Sequence, residues 1–437
     1  MKYSVICLFI LSFCFSCNYS REKNISDSDS NKFNTISIIQ GLENRIEYFK
    51  LSEIAKDIEI IPLETCPQTL FKFIDNIIVT ENDIFVNTRI SILRFDRETG
   101  IFKNQIGAKG QGPTEFLSCA GIGVNENTKN VYVFSSEDNK VKSYSYDGAF
   151  LTSIQLAKGG ESTIGSQHEE NRTYTFFDNK HVLRRMLPLS DGSKDFWLVQ
   201  IQNLNGAILS RFYDPLNIGF ENEIAQNQVD NKNIIPYYWS EDSPVLNRFN
   251  NSVHFLFDSN DTIYKYDETE WTLEPHYILD CGPRPSISAI RQMSKERDFF
   301  DYAFVKNMWD TKDFLFLLSE QDRYAYLLRY DKKTKNIVSI REKGEIKEAP
   351  VMKILYRDVT MPRFTNDLCG GLGFYPYFQN NSQWITMFDA EELLTIDLNS
   401  LKRDSFILKD KQEQLIRIIE NINEDDNPVI MIVTLKQ

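Results

Sequence analysis

The chain is short of the residues that several large classes of protein function require. It has only four histidines, His168, His181, His254 and His276, and no two stand at metal-ligand spacing. There is no HExxH helix and no DxDxDG calcium loop. Cys66, Cys119, Cys281 and Cys369 lie far apart with no CxxC, so they read as isolated buried thiols rather than zinc ligands or a disulfide framework. Positive charge is also scarce: 49 Lys and Arg against 62 Asp and Glu leave a net charge of -13. That balance excludes the basic face a nucleic-acid binder needs to displace counterions. A GxSxG nucleophile elbow is missing, as are the SxDxGxxW sialidase repeat and a glycine-rich loop ending in GK[ST]. Adjacent carboxylates such as Glu169-Glu170 and Asp425-Asp426 read as solvated surface in so acidic a chain.

Aromatic residues are abundant, with 31 Phe and 20 Tyr, a bias that suits half-buried pleated strands. The N-terminus has a short positive start at Lys2, then an apolar stretch, Ser4–Ser16, too short to span a bilayer as a mature helix. Cys17 follows a small residue. The arrangement resembles a bacterial lipoprotein signal of the loose kind found in Bacteroidota, with Cys17 as the expected lipid attachment point. Residues 18–45 begin NYSREKNISDSDSN, without apolar periodicity, and are expected to tether the lipid to a folded body spanning 46–437. No later run has the length and apolarity of a membrane-spanning helix.

A hairpin pattern repeats through that body. In SILRFDRETGIFKNQI, two strand-like runs flank a turn that opens on Phe95-Asp96. Similar marks fall at Tyr146-Asp147, Leu204-Asn205, Tyr266-Asp267, Tyr330-Asp331 and Ile396-Asp397, at intervals of 51, 58, 62, 64 and 66 residues. The short Asp or Asn side chain can bond the backbone just ahead, and Gly100, Gly148 and Gly206 supply positive φ. Two further strand-like runs precede each mark, which makes four strands per interval and six intervals. Four-stranded units repeated radially predict an all-β, six-bladed β-propeller. The runs DIEIIPLE (57–64) and NPVIMIVTLK (427–436) are expected to pair and close the ring. Helical spacing predicts small insertions at Ala390–Leu394 and Lys409–Asn421, the latter with Leu415, Ile418 and Ile419 on one face, and another at Ser286–Phe300.

Several segments, in this order, resemble one family. They are DIEIIPLET, ILRFDRETG, IGAKGQGPTEF, NDTIYKYD, NDLCGGLGFYP and EDDNPVIMIVTLK, and together they cover about Phe49 to Lys436. The family is the Bacteroides-type six-bladed propeller lipoproteins, distant relatives of NHL-repeat propellers. The resemblance implies six blades, export, lipidation and an outer-membrane setting, and it implies no assigned biochemistry. The family usually has Gly where Thr114 stands.

Two loops attract attention as ligand sites. Gly107–Phe116 offers Lys109, Gln111 and Glu115 on a tightly turning backbone. It reads either as a ligand-facing loop or as an inter-blade crossover in which Glu115 caps backbone amides and Phe116 plugs between sheets. Asn366–Pro376 and its flank present Tyr375 and Tyr377, and Trp239 and Trp309 invite the same two readings, ligand stacking or inter-blade packing. No cofactor, metal or nucleic acid is expected, and the body is expected to be monomeric. The reading that follows is a lipid-anchored binding module at the outer membrane, facing a glycan, a peptide or a partner membrane protein. Its competitor is a carbohydrate- or lactone-active hydrolase or lyase at the channel mouth.

Overall fold

The computed structural model describes residues 34–71, 73–119, 121–135, 140–156, 174–176, 180–185, 199–212, 245–250, 252–257, 261–284, 297–348 and 355–437. The chain opens with β1 (Asn34–Ser37) and α1 (Ile38–Glu43), then runs into β2 (Ala55–Pro62). The first blade is β3 (Asn76–Val79), β4 (Asp83–Asn87), β5 (Ile92–Asp96) and β6 (Phe102–Gln105). The second is β7 (Gly121–Asn125), β8 (Asn130–Ser135), β9 (Lys140–Ser145) and β10 (Phe150–Gln155). The third is β11 (Tyr174–Phe176), β12 (His181–Arg185), β13 (Val199–Asn203) and β14 (Ile208–Phe212). The fourth is β15 (Val245–Phe249), β16 (Ser252–Leu256), β17 (Thr262–Asp267) and β18 (Thr272–Asp280). The fifth is β19 (Phe304–Asp310), β20 (Phe314–Gln321), β21 (Tyr324–Asp331) and β22 (Ile337–Lys343), followed by a ribbon of β23 (Glu345–Glu348) and β24 (Leu355–Asp358). The sixth contains β25 (Phe378–Asn380) and β26 (Gln383–Phe388). Helices α2 (Ala390–Leu394), α3 (Leu398–Arg403) and α4 (Lys409–Asn421) then intervene before β27 (Val429–Leu435). These antiparallel four-stranded sheets form a six-bladed β-propeller.

Burial along a blade follows from radial stacking. Strand β4, DIFVN, is buried at every position because a neighbouring sheet covers each face, whereas β6, FKNQ, at the rim alternates half-buried and exposed. Aromatic side chains fill the wedges between sheets. Phe316 meets Phe364 at 5.1 Å and Trp384 at 5.8 Å between the fifth and sixth blades, and Phe85 meets Tyr146 at 5.0 Å between the first and second. Each such fully buried side chain contributes about 1.5–3 kcal/mol.

The ring closes as the sequence predicts. β2 pairs antiparallel with β27, from Pro62 opposite Val429 to Ala55 opposite Leu435, so the two chain ends share one sheet. On α4, Leu415 and Ile419 are buried and Ile418 packs partly buried against the same core. The folded body begins earlier than 46. Residues 34–43, assigned by sequence to the tether, form β1, a parallel fifth strand on β18, and α1, which packs on the fifth blade. A Cβ at Gly41 would lie 2.5 Å from Leu328 and 2.8 Å from Ile337, so only glycine lets α1 sit that close. The N-terminal segment thus straps the fourth and fifth blades together before entering the sixth.

Turn chemistry is partly relocated. Asp96, Asp267 and Asp331 each accept from backbone amides two and three residues ahead, Asp331 from Lys333 N at 2.9 Å and Thr334 N at 2.8 Å. In the second and third blades the bonding side chains are Ser145 and Asn203, two residues before the marks at Asp147 and Asn205. In all five hairpins the acceptor is the last residue of the third strand, and in the second and third blades that residue stands two before the Asp or Asn of the mark. The sixth mark is no hairpin: Asp397 caps α3, accepting from Asn399 N at 3.0 Å. Of the insertion expected at Ser286–Phe300, only its end is described, as a 3₁₀ turn at Arg297–Asp301; the remainder lies outside the described residues.

Cys66, Cys119, Cys281 and Cys369 are all free thiols. Burial pushes Cys281 up to about 12 and Cys369 up to about 11, which makes both poor nucleophiles.

Candidate functional site

The blade topology sorts loops onto two faces. Crossovers from one blade's rim strand to the next blade's inner strand, and the loops joining second to third strands, share what we call the upper face. The remaining hairpin turns share the lower face. Both sequence-selected loops, 107–116 and 366–377, are crossovers and lie on the upper face.

Loop 107–116 is locked from within. The Glu115 carboxylate accepts from Gly112 N at 2.8 Å, and a Cβ at Gly110 would lie 1.9 Å from the same carboxylate. Gly110 N donates to Phe116 O, and Phe116 N to Ala108 O. Lys142 from β9 donates to Glu115 O, and Tyr144 Oη to Thr114 O at 2.9 Å. Phe116 is fully buried, edge-on to Tyr144. Glu115 and Phe116 are therefore spent on holding the loop, while Lys109 and Gln111 stand exposed on it.

The aromatic candidates divide in the same way. Trp309 on β19 is buried and its Nε1 donates to Pro376 O at 3.1 Å. Tyr375 is buried edge-on to Trp309 at 5.5 Å, and the exposed Tyr377 leans on Tyr375 at 4.8 Å. Two positions more than sixty residues apart thus form one support for Tyr377. Trp239 and Cys17 lie outside the described residues.

Beside loop 107–116 the structure assembles an apolar patch that sequence reasoning missed. Phe73, in the crossover into the first blade, is 48% exposed; Ile90, between β4 and β5, is 57% exposed; Leu117 is 41% exposed. Phe73 packs on Arg89, Ile90 follows Arg89 in the chain, and Leu117 stands two residues before Cys119, whose amide bonds the Arg89 carbonyl at 2.8 Å. The Arg89 guanidinium lies 4.6 Å from the Phe73 ring centroid and bonds Asp75 at 2.9 Å. Arg89 holds φ at 68°, fixed by the Asn87 side chain accepting from Arg89 N at 2.9 Å. Each apolar residue is unremarkable alone in its loop, so no sequence window contains the patch.

Inside the ring, polar amides meet. Asn247 of β15 donates to Gln379 of β25 at 2.5 Å, and Gln379 returns a bond to Leu246 O at 3.0 Å. The fourth and sixth blades are thereby bridged past the fifth, by neutral side chains. A second polar cluster sits between the fourth and fifth blades. His254 stacks on His276 at 5.0 Å, and its Nδ1 lies 3.7 Å from Asp310, which also pairs with Lys332 at 2.5 Å. Burial, then the nearby cations, pushes His254 down to about 3, so it is neutral at physiological pH. Among the described residues no group of three or more His, Cys, Asp or Glu is placed to hold a metal ion.

The comparisons with known proteins bear on fold and family. A family model described as a domain of unknown function, DUF4934, matches residues 33–434. A solved structure from Bacteroides fragilis NCTC 9343, described as an exported protein, is similar at TM-score 0.56 and 16% identity, over 93% of this chain and 100% of that one. A DUF4221-family structure from Bacteroides vulgatus ATCC 8482 is similar at TM-score 0.42 and 12% identity, over 69% of this chain and 88% of that one. At such identities the first likeness speaks for the propeller fold alone. No curated protein matches the chain.

Proposed function

The chain belongs to the DUF4934 family, a domain of unknown function, and on that premise we propose that it is an exported, lipid-anchored binding module whose upper face receives a partner membrane protein. The observation that carries this reading is the patch of Phe73, Ile90 and Leu117 around Arg89, with Lys109 and Gln111 exposed on the locked loop alongside. Contiguous exposed apolar groups rimmed by polar ones are the usual mark of a protein interface. Rigidity matters as much as composition. A loop already ordered by Glu115 loses little conformational entropy when a partner docks. Export is supported by the apolar N-terminal stretch Ser4–Ser16 and by the description of the Bacteroides fragilis structure as exported, and the lipid anchor by Cys17 directly after that stretch. The lipid would hold the ring at the outer membrane, where a membrane protein is the nearest partner.

The test is photocrosslinking in native membranes with the full chain. A photoreactive residue at Phe73, Ile90 or Leu117 should give one discrete protein adduct, and with the probe at Phe73 the double substitution Ile90→Asp, Leu117→Asp should abolish it. A probe at Leu151 on the lower face should give none. An adduct from Leu151 with none from Ile90 or Leu117 would overturn the assignment. Acyl labelling of the chain should vanish with Cys17→Ser; labelling that persists would refute the anchor.

A further inference from the structure

The boundary between the fourth and fifth blades is apolar through most of its depth and polar at one place. Tyr277 and Leu279 of β18 pack there with Leu328 and Tyr330 of β21, and Ile36 and Ile38 of the N-terminal strap join the same core. The polar place is a pair of imidazoles, His254 on β16 and His276 on β18, stacked at 5.0 Å. It is continuous with the core, since His276 meets Tyr277 edge-on at 4.4 Å and Tyr277 meets Tyr330 at 6.1 Å. Strand β1 of the strap pairs with β18 from Tyr277 to Asp280, directly after His276.

His254 is 5% exposed, and its Nε2 is buried with no hydrogen-bond partner among the described residues. Its surroundings are short of negative charge. Lys265 stands opposite His254 on β17, with Glu274 opposite Lys265 on β18, and both of these are exposed. The fifth blade brings Asp310, at the end of β19, and Lys332, in the turn after β21. Asp310 is 7% exposed; one oxygen lies 3.7 Å from His254 Nδ1 and the other 2.5 Å from Lys332 Nζ. The buried carboxylate of the cluster is thus already matched by a lysine. Burial, then His276, Lys332 and Lys265, holds His254 down to about 3, and burial with the same two lysines keeps His276 below its ordinary value. Burial shifts Asp310 the other way, upward, against the pull of Lys332.

We infer that the boundary between the fourth and fifth blades is a proton-sensitive joint. A proton arriving on His254 Nε2 sets a second cation against Lys332 for the one Asp310 carboxylate, and β18, with the strap strand it carries, loosens from the fifth blade. Once the joint opens, water solvates both imidazoles and each takes up a proton at the ordinary histidine value. Both histidines therefore hold fewer protons in the closed joint than in the open one. Closure is favoured in full above about pH 6.5 and weakens as pH falls from there towards the folded values. Asp310 offsets part of this, one group against two. The first blade supplies the contrast: it contains no histidine, and its carboxylates Asp83 and Asp96 are held below their ordinary values, under about pH 4. Between pH 7 and pH 5 the joint responds and the first blade does not. The joint lies on other blades than the proposed partner patch, and neither depends on the other.

The test is hydrogen exchange of the full chain in detergent at pH 7, 6 and 5, with rates corrected for the intrinsic effect of pH. Opening measured at β1, β16, β18 and β19 should rise about tenfold or more from pH 7 to pH 5, since one linked proton gives about tenfold per pH unit. Amides of β4 and β5 should keep their protection. The double substitution His254→Gln, His276→Gln, neutral at every pH, should flatten the response. A second measurement needs no variant. The chain has four histidines, and with ¹³C-labelled imidazoles two of the ring signals should remain those of neutral histidine down to pH 5. The inference is overturned if fewer than two rings stay neutral, if exchange at β16, β18 and β19 is unmoved by pH, if β4 and β5 quicken equally, or if the double variant retains the full response.

Discussion

The two ends of the first blade are built from the same four strands and have opposite chemistry. At the upper end, Phe73, Ile90 and Leu117 surround an arginine paired at the surface with Asp75. At the lower end, a buried carboxylate, Asp83, organises Arg94 and Lys103, and Ile101, 55% exposed in the turn between β5 and β6, stands outside that network. The difference follows only in part from the connections. Phe73 and Leu117 sit in upper crossovers long enough to carry residues that the blades do not need for packing, whereas Ile90 sits in the turn 88–91, which is as tight as the lower ones. At the lower end Asp96 satisfies the amides of Glu98 and Thr99, and Asp83 holds Arg94 and Lys103. Long connections present surface, and so does a tight turn at a position whose side chain is not recruited to bond its own backbone.

The contrast can be broken at its strongest point first. Asp83→Ala should cost about 3–5 kcal/mol, because it takes the carboxylate from the mostly buried guanidinium of Arg94, while Lys103 keeps Asp96. Asp75→Ala at the upper end should cost about 1 kcal/mol or less, since Arg89 there is partly solvated. Denaturant midpoints of the two variants measure this, and equal losses would remove the distinction between the ends.

A smaller effect is expected from Glu115→Ala, about 1–2 kcal/mol for the lost bond to Gly112 N. Its signature is local: hydrogen exchange should quicken across 107–116 and leave the lower turns unchanged. Exchange that quickens throughout the blade would mean that the loop braces the sheet rather than decorating it.

The mildest test is acid. Burial raises the Asp83 carboxyl, but hydrogen bonds from Arg94 and Lys103 outweigh it and hold the group below its ordinary value. Lys103, then Thr99, brings Asp96 down to about 2. Both folded-state values lie below the unfolded ones, so this stabilisation is full above about pH 4 and is lost as pH falls through the folded values. Thermal midpoints measured from pH 5 to pH 2 should therefore fall less steeply in Asp96→Asn than in the unaltered chain. Identical slopes would show that Asp96 carries no linked proton.

Much of the fold was legible in sequence because its causes are local or periodic. Asp96, Asp267 and Asp331 announce hairpins through a side chain that bonds its own next residues, and DIEIIPLE and NPVIMIVTLK announce closure through unpaired strand character at both ends. Misreadings arose where one local signal serves two structures. An Asp before a helix caps it as readily as an Asp in a turn, which is why Asp397 imitated a sixth hairpin. The polar run after Cys17 also hid Ile36 and Ile38, two residues that become core only because β18 and the fifth blade are there to cover them. For the candidate site, Trp309, Tyr375 and Tyr377 were visible as residue types. Which of them faces solvent was not, because that depends on what stands opposite.

By itself, then, the sequence determined the strand repeat, the six blades and the seam where the ring closes, since hydrogen-bonding turns and alternating burial act over a few residues. Only the tertiary structure decided which loop residues are spent on support and which are offered. Glu115 turned inward to Gly112, Lys109 was left outside, and Phe73, Ile90 and Leu117 met around Arg89. The physical reason is that a surface is made by neighbours in space, and closing the ring sets side by side residues that the chain keeps far apart.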